Sequence, residues 1–270
     1  MDQKLFFLRI GLAVALVFAG AAAWSGVAKA SQSHGDRETL YQVSSMDALA
    51  QGAFDGIQPV SEIKKHGDFG IGTFDLLNGE MIALDGKVYQ VTADGNVRVA
   101  PDGETTPFAE LTYFDRDLSI TEDKSLNFSE FTKDLSSKIP SMSVISAVKI
   151  HSTFLLMKVR SVPAQQKPFP TLLSAVANQS VYTYENANGT IVGYYEPEFL
   201  NGISVPGYHL HFISDDRREG GHVLDFTTVR DMTVEIDTTP GFFASLPALN
   251  SSPGIDAAKN VSADLAKAER

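Results

Sequence analysis

Glu80-Met-Ile-Ala-Leu-Asp-Gly-Lys-Val-Tyr-Gln-Val-Thr-Ala-Asp-Gly-Asn-Val-Arg-Val-Ala100 decides the fold of this chain. Three short apolar runs, 80–84, 87–91 and 96–100, are parted by Asp85-Gly86 and Asp94-Gly95. An Asp-Gly pair supplies the positive φ that a two-residue hairpin turn demands, so the runs are expected to pair as an antiparallel meander. Gly70-Ile-Gly-Thr-Phe74 and Leu111–Phe114 read as further strands on either side of it.

Outward from the meander, Ser45–Gly52, Val60–Lys65 and Thr171–Asn178 read as short helices, the first behind a serine cap. Ser125–Lys138 has Leu126, Phe128, Phe131 and Leu135 at helical spacing and is closed by Pro140. Ser143–His151 and Leu155–Val162 read as two strands joined by a polar step, and Val181–Tyr184 and Thr190–Tyr195 as a hairpin about Asn188-Gly189. Arg230–Asp237 adds a strand, Ser245–Gly254 reads as a linker, and Ile255–Arg270 has helix-forming composition with little apolar surface. The expected fold is α+β and β-rich, with mixed or antiparallel sheets in two lobes, 31–141 and 142–246, followed by a tail at 247–270.

Three of the six histidines lie within fourteen residues of each other. In Gly207-Tyr-His-Leu-His-Phe212 a strand turns His209 and His211 to one face. Asp215–Gly221 is a polar turn that folds the next strand back and brings His222 beside His211. Three converging imidazoles form the ligand set of a catalytic zinc with its fourth position open, here on strands of the C-terminal lobe. The plainer reading is a strand with two exposed histidines and an unrelated third.

Residues 1–30 read as a secretory signal peptide: basic Lys4 and Arg9, an apolar run at 10–24, and Ala28-Lys29-Ala30 as the cleavage site. Cleavage near Ala30 implies export, to the periplasm or the exterior, and no membrane association afterwards. With no cysteine, disulfides, thiolate metal sites and a cysteine nucleophile are all excluded. The net charge of −11 becomes −13 without the signal, which argues against nucleic acid as a partner. On composition alone Arg160, Glu80 and Glu269 would each pass for a solvated surface charge.

The chain resembles the α-acetolactate decarboxylase family. The resemblance rests on His66-Gly-Asp-Phe-Gly-Ile-Gly-Thr-Phe74, Leu77-Asn-Gly-Glu-Met-Ile82, Thr106-Pro-Phe-Ala109, Gly207–Phe212 and Gly220-Gly-His222, in that order. It implies a lyase that converts the small molecule 2-acetolactate to (R)-acetoin and CO₂, with Zn²⁺ as cofactor. It also implies that His209, His211 and His222 are the metal ligands, that Glu80, Arg160 and Glu269 are catalytic, and that Thr73 and Arg160 bind substrate. The tail would return Glu269 to the metal, and the protein would be a homodimer extended through the first lobe's sheet. Two other readings stand beside it. A cupin-like metal enzyme acting on a small oxo or hydroxy acid would use iron or manganese with Asp215 as carboxylate ligand. An exported, non-enzymatic zinc protein would have Arg160 and Glu80 far from the metal.

Overall fold

The computed structural model describes residues 37–246, 255–256 and 259–269. The expected signal peptide, residues 31–36 and residues 247–254 of the expected linker lie outside the described residues. In chain order the elements are β1 (Thr39–Val43), α1 (Met46–Ala50), β2 (Gln58–Pro59), α2 (Val60–Ile63), β3 (Phe69–Thr73), β4 (Glu80–Leu84), β5 (Lys87–Val91), β6 (Val97–Val99), β7 (Thr105–Thr106), β8 (Ala109–Thr112) and β9 (Leu118–Glu122). After α3 (Phe128–Lys138) come β10 (Ile145–Ser161), α4 (Leu172–Val176), β11 (Ser180–Glu196), β12 (Gly207–Ser214), β13 (Gly220–Thr228), β14 (Met232–Thr239), β15 (Gly241–Ser245) and α5 (Ser262–Ala268).

The protein is β-rich with few helices. A seven-stranded mixed sheet runs in the order β15-β1-β8-β3-β4-β5-β6, antiparallel except for the β1–β15 pair. A six-stranded antiparallel sheet runs β11-β12-β13-β10-β14-β9, and β10 also pairs with β11. Each sheet takes one strand from the far half of the chain, β9 in the second and β15 in the first. The meander forms at β4-β5-β6, with Asp85 and Gly86 at φ 51° and 74° in the first turn.

The sheets face each other. Leu40, Ile71, Ile82 and Val91 of the first pack against Ile145, Val192, Tyr194 and Ile213 of the second. On the outer face of the second sheet α3 buries Phe131 and Leu135 against Phe154 and Phe226, each side chain contributing about 1.5–3 kcal/mol. Helix α3 begins at Phe128, later than its apolar spacing suggests. Asn127 caps it by accepting from the Glu130 amide, while Glu130 returns a bond to the Asn127 amide. On the outer face of the first sheet, Val60 and Ile63 of α2 pack on Met81 and Leu111.

Two sequence expectations fail here. Asn188-Gly189 makes no turn, since β11 runs through it as one 17-residue strand. Gly189 is needed for close approach instead, because a Cβ there would stand 2.4 Å from the Ile213 carbonyl oxygen. Nor do 143–151 and 155–162 form two strands: β10 is continuous. The irregularity that suggested breaks is a local one, where Leu155 and Asn186 drop out of the β10–β11 ladder with Asn186 at φ 52°. Its consequence is geometric. Before it, odd-numbered Ile145 and Ala147 face the first sheet; after it, odd-numbered Met157 and Val159 face α3's layer, so Arg160 points between the sheets.

Candidate active site

The turn at 215–219 is tied by Ser214 Oγ, which accepts from the amides of Arg218 and Glu219. It folds β13 onto β12 with His211 directly opposite His222. His209 and His211, two residues apart, share the face that looks at the first sheet. The three imidazoles are buried, with ring centroids 5.1–5.3 Å apart. One nitrogen from each lies within 4.8 Å of the other two.

The hydrogen bonds fix two tautomers. His211 Nδ1 donates to the Met81 carbonyl at 2.8 Å, and His222 Nε2 to the Glu269 carbonyl at 3.3 Å. This leaves His211 Nε2 and His222 Nδ1 as lone pairs, and neither they nor His209 Nδ1 has a hydrogen-bond partner. Burial drives all three pKa values down, aided by the Arg160 charge and by one another, His209 to about 3. Buried, neutral imidazoles with unpartnered nitrogens are the form in which histidine binds a metal, so the residues fit a cation held by three nitrogens.

Two carboxylates flank this cluster. Glu80 opens β4 directly after Gly79, whose φ of 80° and amide bond to the Val162 carbonyl set the entry angle. Glu80 Oε2 lies 3.7 Å from His211 Nε2, and its Oε1 lies 3.5 Å from Arg160 Nη1. Glu269 arrives from α5, with Oε2 3.2 Å from Arg160 Nη2, 3.6 Å from His209 Nε2 and 3.7 Å from His222 Nδ1. Arg160, opposite His222 in the β10–β13 register, thus spans both acids. Burial pushes Glu80 up to about 7 and raises Glu269, with Arg160 opposing the rise in both. Thr73 pairs with Glu80 across β3–β4 and donates its hydroxyl to the Gly79 carbonyl at 2.7 Å, so it braces the Glu80 turn.

Thr73, Glu80, Arg160, His209, His211, His222 and Glu269, the residues named by the family resemblance, therefore lie in one place. Between them is an inner cavity of about 30 Å³, lined by Thr73, Glu80, Arg160, His209, His211 and Glu269 with the apolar Met46, Leu49, Phe108, Val162 and Leu172. On the other side of Glu269 is an outer cavity of about 620 Å³ between α3, α5 and the 198–208 segment. Asp215 stands apart on the exposed turn, 3.0 Å from His151, and His66 stacks on Tyr41. The apolar walls and the tail's anchor were missed. Val261, Leu265 and Ala268 form a stripe that packs on Met46, Leu49, Leu172 and Val176, and their i, i+4, i+7 spacing was the available signal.

A sequence model of the alpha-acetolactate decarboxylase family matches residues 40–252. The alpha-acetolactate decarboxylase of Methanosarcina mazei is 46% identical over 86% of this chain and 81% of its own. That of Bacillus subtilis strain 168 is 40% identical over 77% of this chain and 81% of its own. The crystal structure of alpha-acetolactate decarboxylase from Bacillus subtilis strain 168 superposes with a TM-score of 0.82 at 37% identity, covering 86% of this chain and 99% of that one.

Proposed function

Because the chain belongs to the alpha-acetolactate decarboxylase family, and is thus a carboxy-lyase acting on acetolactate, we propose that it is a zinc enzyme releasing (R)-acetoin and CO₂. The observation that carries this reading is the convergence of three buried neutral histidines beside an arginine and two carboxylates. His209, His211 and His222 would hold the zinc, on strands of the C-terminal half. When bound, it would supply a Lewis acid to polarise the substrate's ketone. Three imidazole nitrogens with a fourth position left for substrate suit a catalytic zinc, and no organic electron sink is then required.

The chain's own residues do the rest. Arg160 pairs with the substrate carboxylate as a charge-assisted donor and orients the C–C bond that breaks. Thr73 holds the turn that presents Glu80. Acetolactate anion plus one proton gives acetoin and CO₂, so one proton must reach the carbon that CO₂ leaves. Glu80 and Glu269, both held toward the acid form by burial, are the pair that supplies it from one face. The apolar walls at Leu49, Phe108 and Leu172 exclude water from the developing charge.

The test is acetoin release from racemic 2-acetolactate by metal-stripped protein, before and after zinc is restored. Zinc-dependent acetoin of one hand supports the reading. Full zinc occupancy without acetoin overturns it. Export after cleavage near Ala30 and a homodimer built on the first sheet belong to the same proposal. N-terminal sequencing of exported protein and its mass in solution test these two points, and an intact residue 1 or a monomer would refute them.

A further inference from the structure

A second group of buried acids lies between the sheets and takes no part in the chemistry above. Glu110 on β8, Glu196 at the end of β11 and Ser204 are all fully buried. Ser204 Oγ lies 2.5 Å from Glu110 Oε1 and also bonds Glu196 Oε2, which in turn accepts from the Val205 amide at 3.1 Å. A hydroxyl carries one hydrogen and can donate to only one of its two neighbours. The other contact needs a hydrogen on a carboxyl, so the three oxygens hold one proton beyond the serine's own. Glu110 Oε2 and Glu196 Oε1 have no hydrogen-bond partner, and neither acid has an ion-pair partner among the described residues.

The placement gives this proton a task. Glu110 lies between Gln42 of β1 and Ile71 of β3, the strand that carries Thr73. Glu196 pairs with Gly207, where β12 begins its run to His209 and His211. Ser204 sits in the segment joining β11 to β12, and that segment is also held by Gln42 Nε2, which donates to the Ile203 carbonyl at 2.7 Å. Resting on the proposed function above, we propose that Glu110, Ser204 and Glu196 form a proton-sharing latch. As positioning residues they hold the strand of His209 and His211 in register with the sheet of Thr73 and Glu80, and the latch opens when the shared proton leaves.

The surroundings favour retention of that proton near neutrality. Burial raises Glu196 to about 7, and burial with the neighbouring Glu196 charge raises Glu110 well above the usual carboxylate range. Facing the pair are Gln42 from β1, Tyr194 from β11 and Glu269 from the tail, with Asp47 of α1 at Gly202 of the same segment. All are neutral or acidic, so ionisation of the second carboxyl leaves two uncompensated buried charges. Carboxyls with raised folded-state pKa values contribute stability at low pH and lose it as pH rises through those values.

The experiment compares zinc-loaded wild type with Glu196→Gln, Glu110→Gln and Ser204→Ala, measuring kcat and melting temperature from pH 5.5 to 9.5. An amide donates its own hydrogen and keeps the latch closed at any pH. Either glutamine variant should retain kcat at pH 6.5 within about threefold and move the alkaline limb upward by at least one pH unit, equivalent to a tenfold change in the proton equilibrium. Its melting temperature should also fall less between pH 6 and 9. Ser204→Ala removes the bridging hydroxyl, whose bond holds both carboxyl pKa values down, so its limb should also move up. Alkaline limbs coincident with wild type in both glutamine variants overturn the latch. If those two do not fold, an unmoved limb in Ser204→Ala does so. Absence of acetolactate turnover in wild type at every pH would instead overturn the proposed reaction, while the melting profiles still decide on the shared proton.

Discussion

Replacing Leu265 with alanine separates the tail's docking from the stability of the sheets. Leu265 is 5% exposed in α5 and packs with Val261 and Ala268 on Met46, Leu49, Leu172 and Val176. Glu269 follows α5 and places its carboxylate 3.2 Å from Arg160. Truncating a buried leucine costs about 2–5 kcal/mol including the cavity left behind. Taken as about 3 kcal/mol, the loss falls on the docking equilibrium of 259–269 alone, because the sheets bury their own cores on other residues. At about 1.4 kcal/mol per factor of ten, the docked fraction drops by roughly a hundredfold relative to the undocked one. The tail has other anchors, such as the reciprocal bonds between the Gln51 amide and the Asp256 backbone. We therefore expect kcat to fall about ten- to hundredfold, the bound metal to persist, and the melting temperature to change by less than about 3 °C. Steady-state kinetics, metal analysis, calorimetry and limited proteolysis of the tail read these out. Phe226→Ala in the second core is the control, costing about 3–5 kcal/mol and many degrees in melting temperature. If Leu265→Ala keeps full turnover and melts as early as Phe226→Ala, the tail is an ordinary part of the core and the reasoning is wrong.

Three further outcomes are expected. Arg160→Lys replaces a fork that spans Glu80 and Glu269 with a point charge that reaches one of them, so KM should rise at least about tenfold with metal content unchanged; an unaltered KM refutes the assignment. Gly79→Ala should lose more activity than Gly86→Ala. Both carry about 1–2 kcal/mol of positive-φ strain, but a Cβ at Gly79 would stand 2.2 Å from the Val91 carbonyl oxygen, whereas Gly86 has open space. Equal activities would show that the Glu80 turn tolerates displacement. Asp237 is raised to about 7, first by burial and then by Glu38, Asp117 and Asp115, with the Asp115 amide opposing. Its share of stability is present in acid and lost as pH rises through about 7. Asp237→Asn should therefore gain roughly 1–2 kcal/mol on wild type between pH 6 and pH 8; parallel melting curves would exclude it.

The parts of the fold that were legible are those whose cause is local. Asp85-Gly86 makes its turn because two successive residues accept positive φ, and Asn127 starts α3 because its side chain satisfies an orphan amide. The histidine pairing followed from strand alternation and one polar turn. Asn188-Gly189 misled because the same residue types serve either a turn or a close approach, and which applies depends on β12, a strand that lies later in sequence. Arg160 was identified by resemblance to a family, while its inward direction comes from the irregularity at Leu155 and Asn186. Glu110 and Glu196 belong to no motif. Their partnership exists only once two sheets have met.

The exchange of β9 and β15 between the sheets bears on how the chain comes to fold. The first sheet's edge strand, Gly241–Ser245, arrives about two hundred residues after the β1 it pairs with, and the second sheet's edge is supplied by Leu118–Glu122. A growing chain can form the meander early, but neither sheet can close until nearly all of it has been made. Contacts of such long sequence separation imply slow folding. Separately expressed halves should fail to fold alone, yet should reassemble when mixed, each lending the other its missing edge.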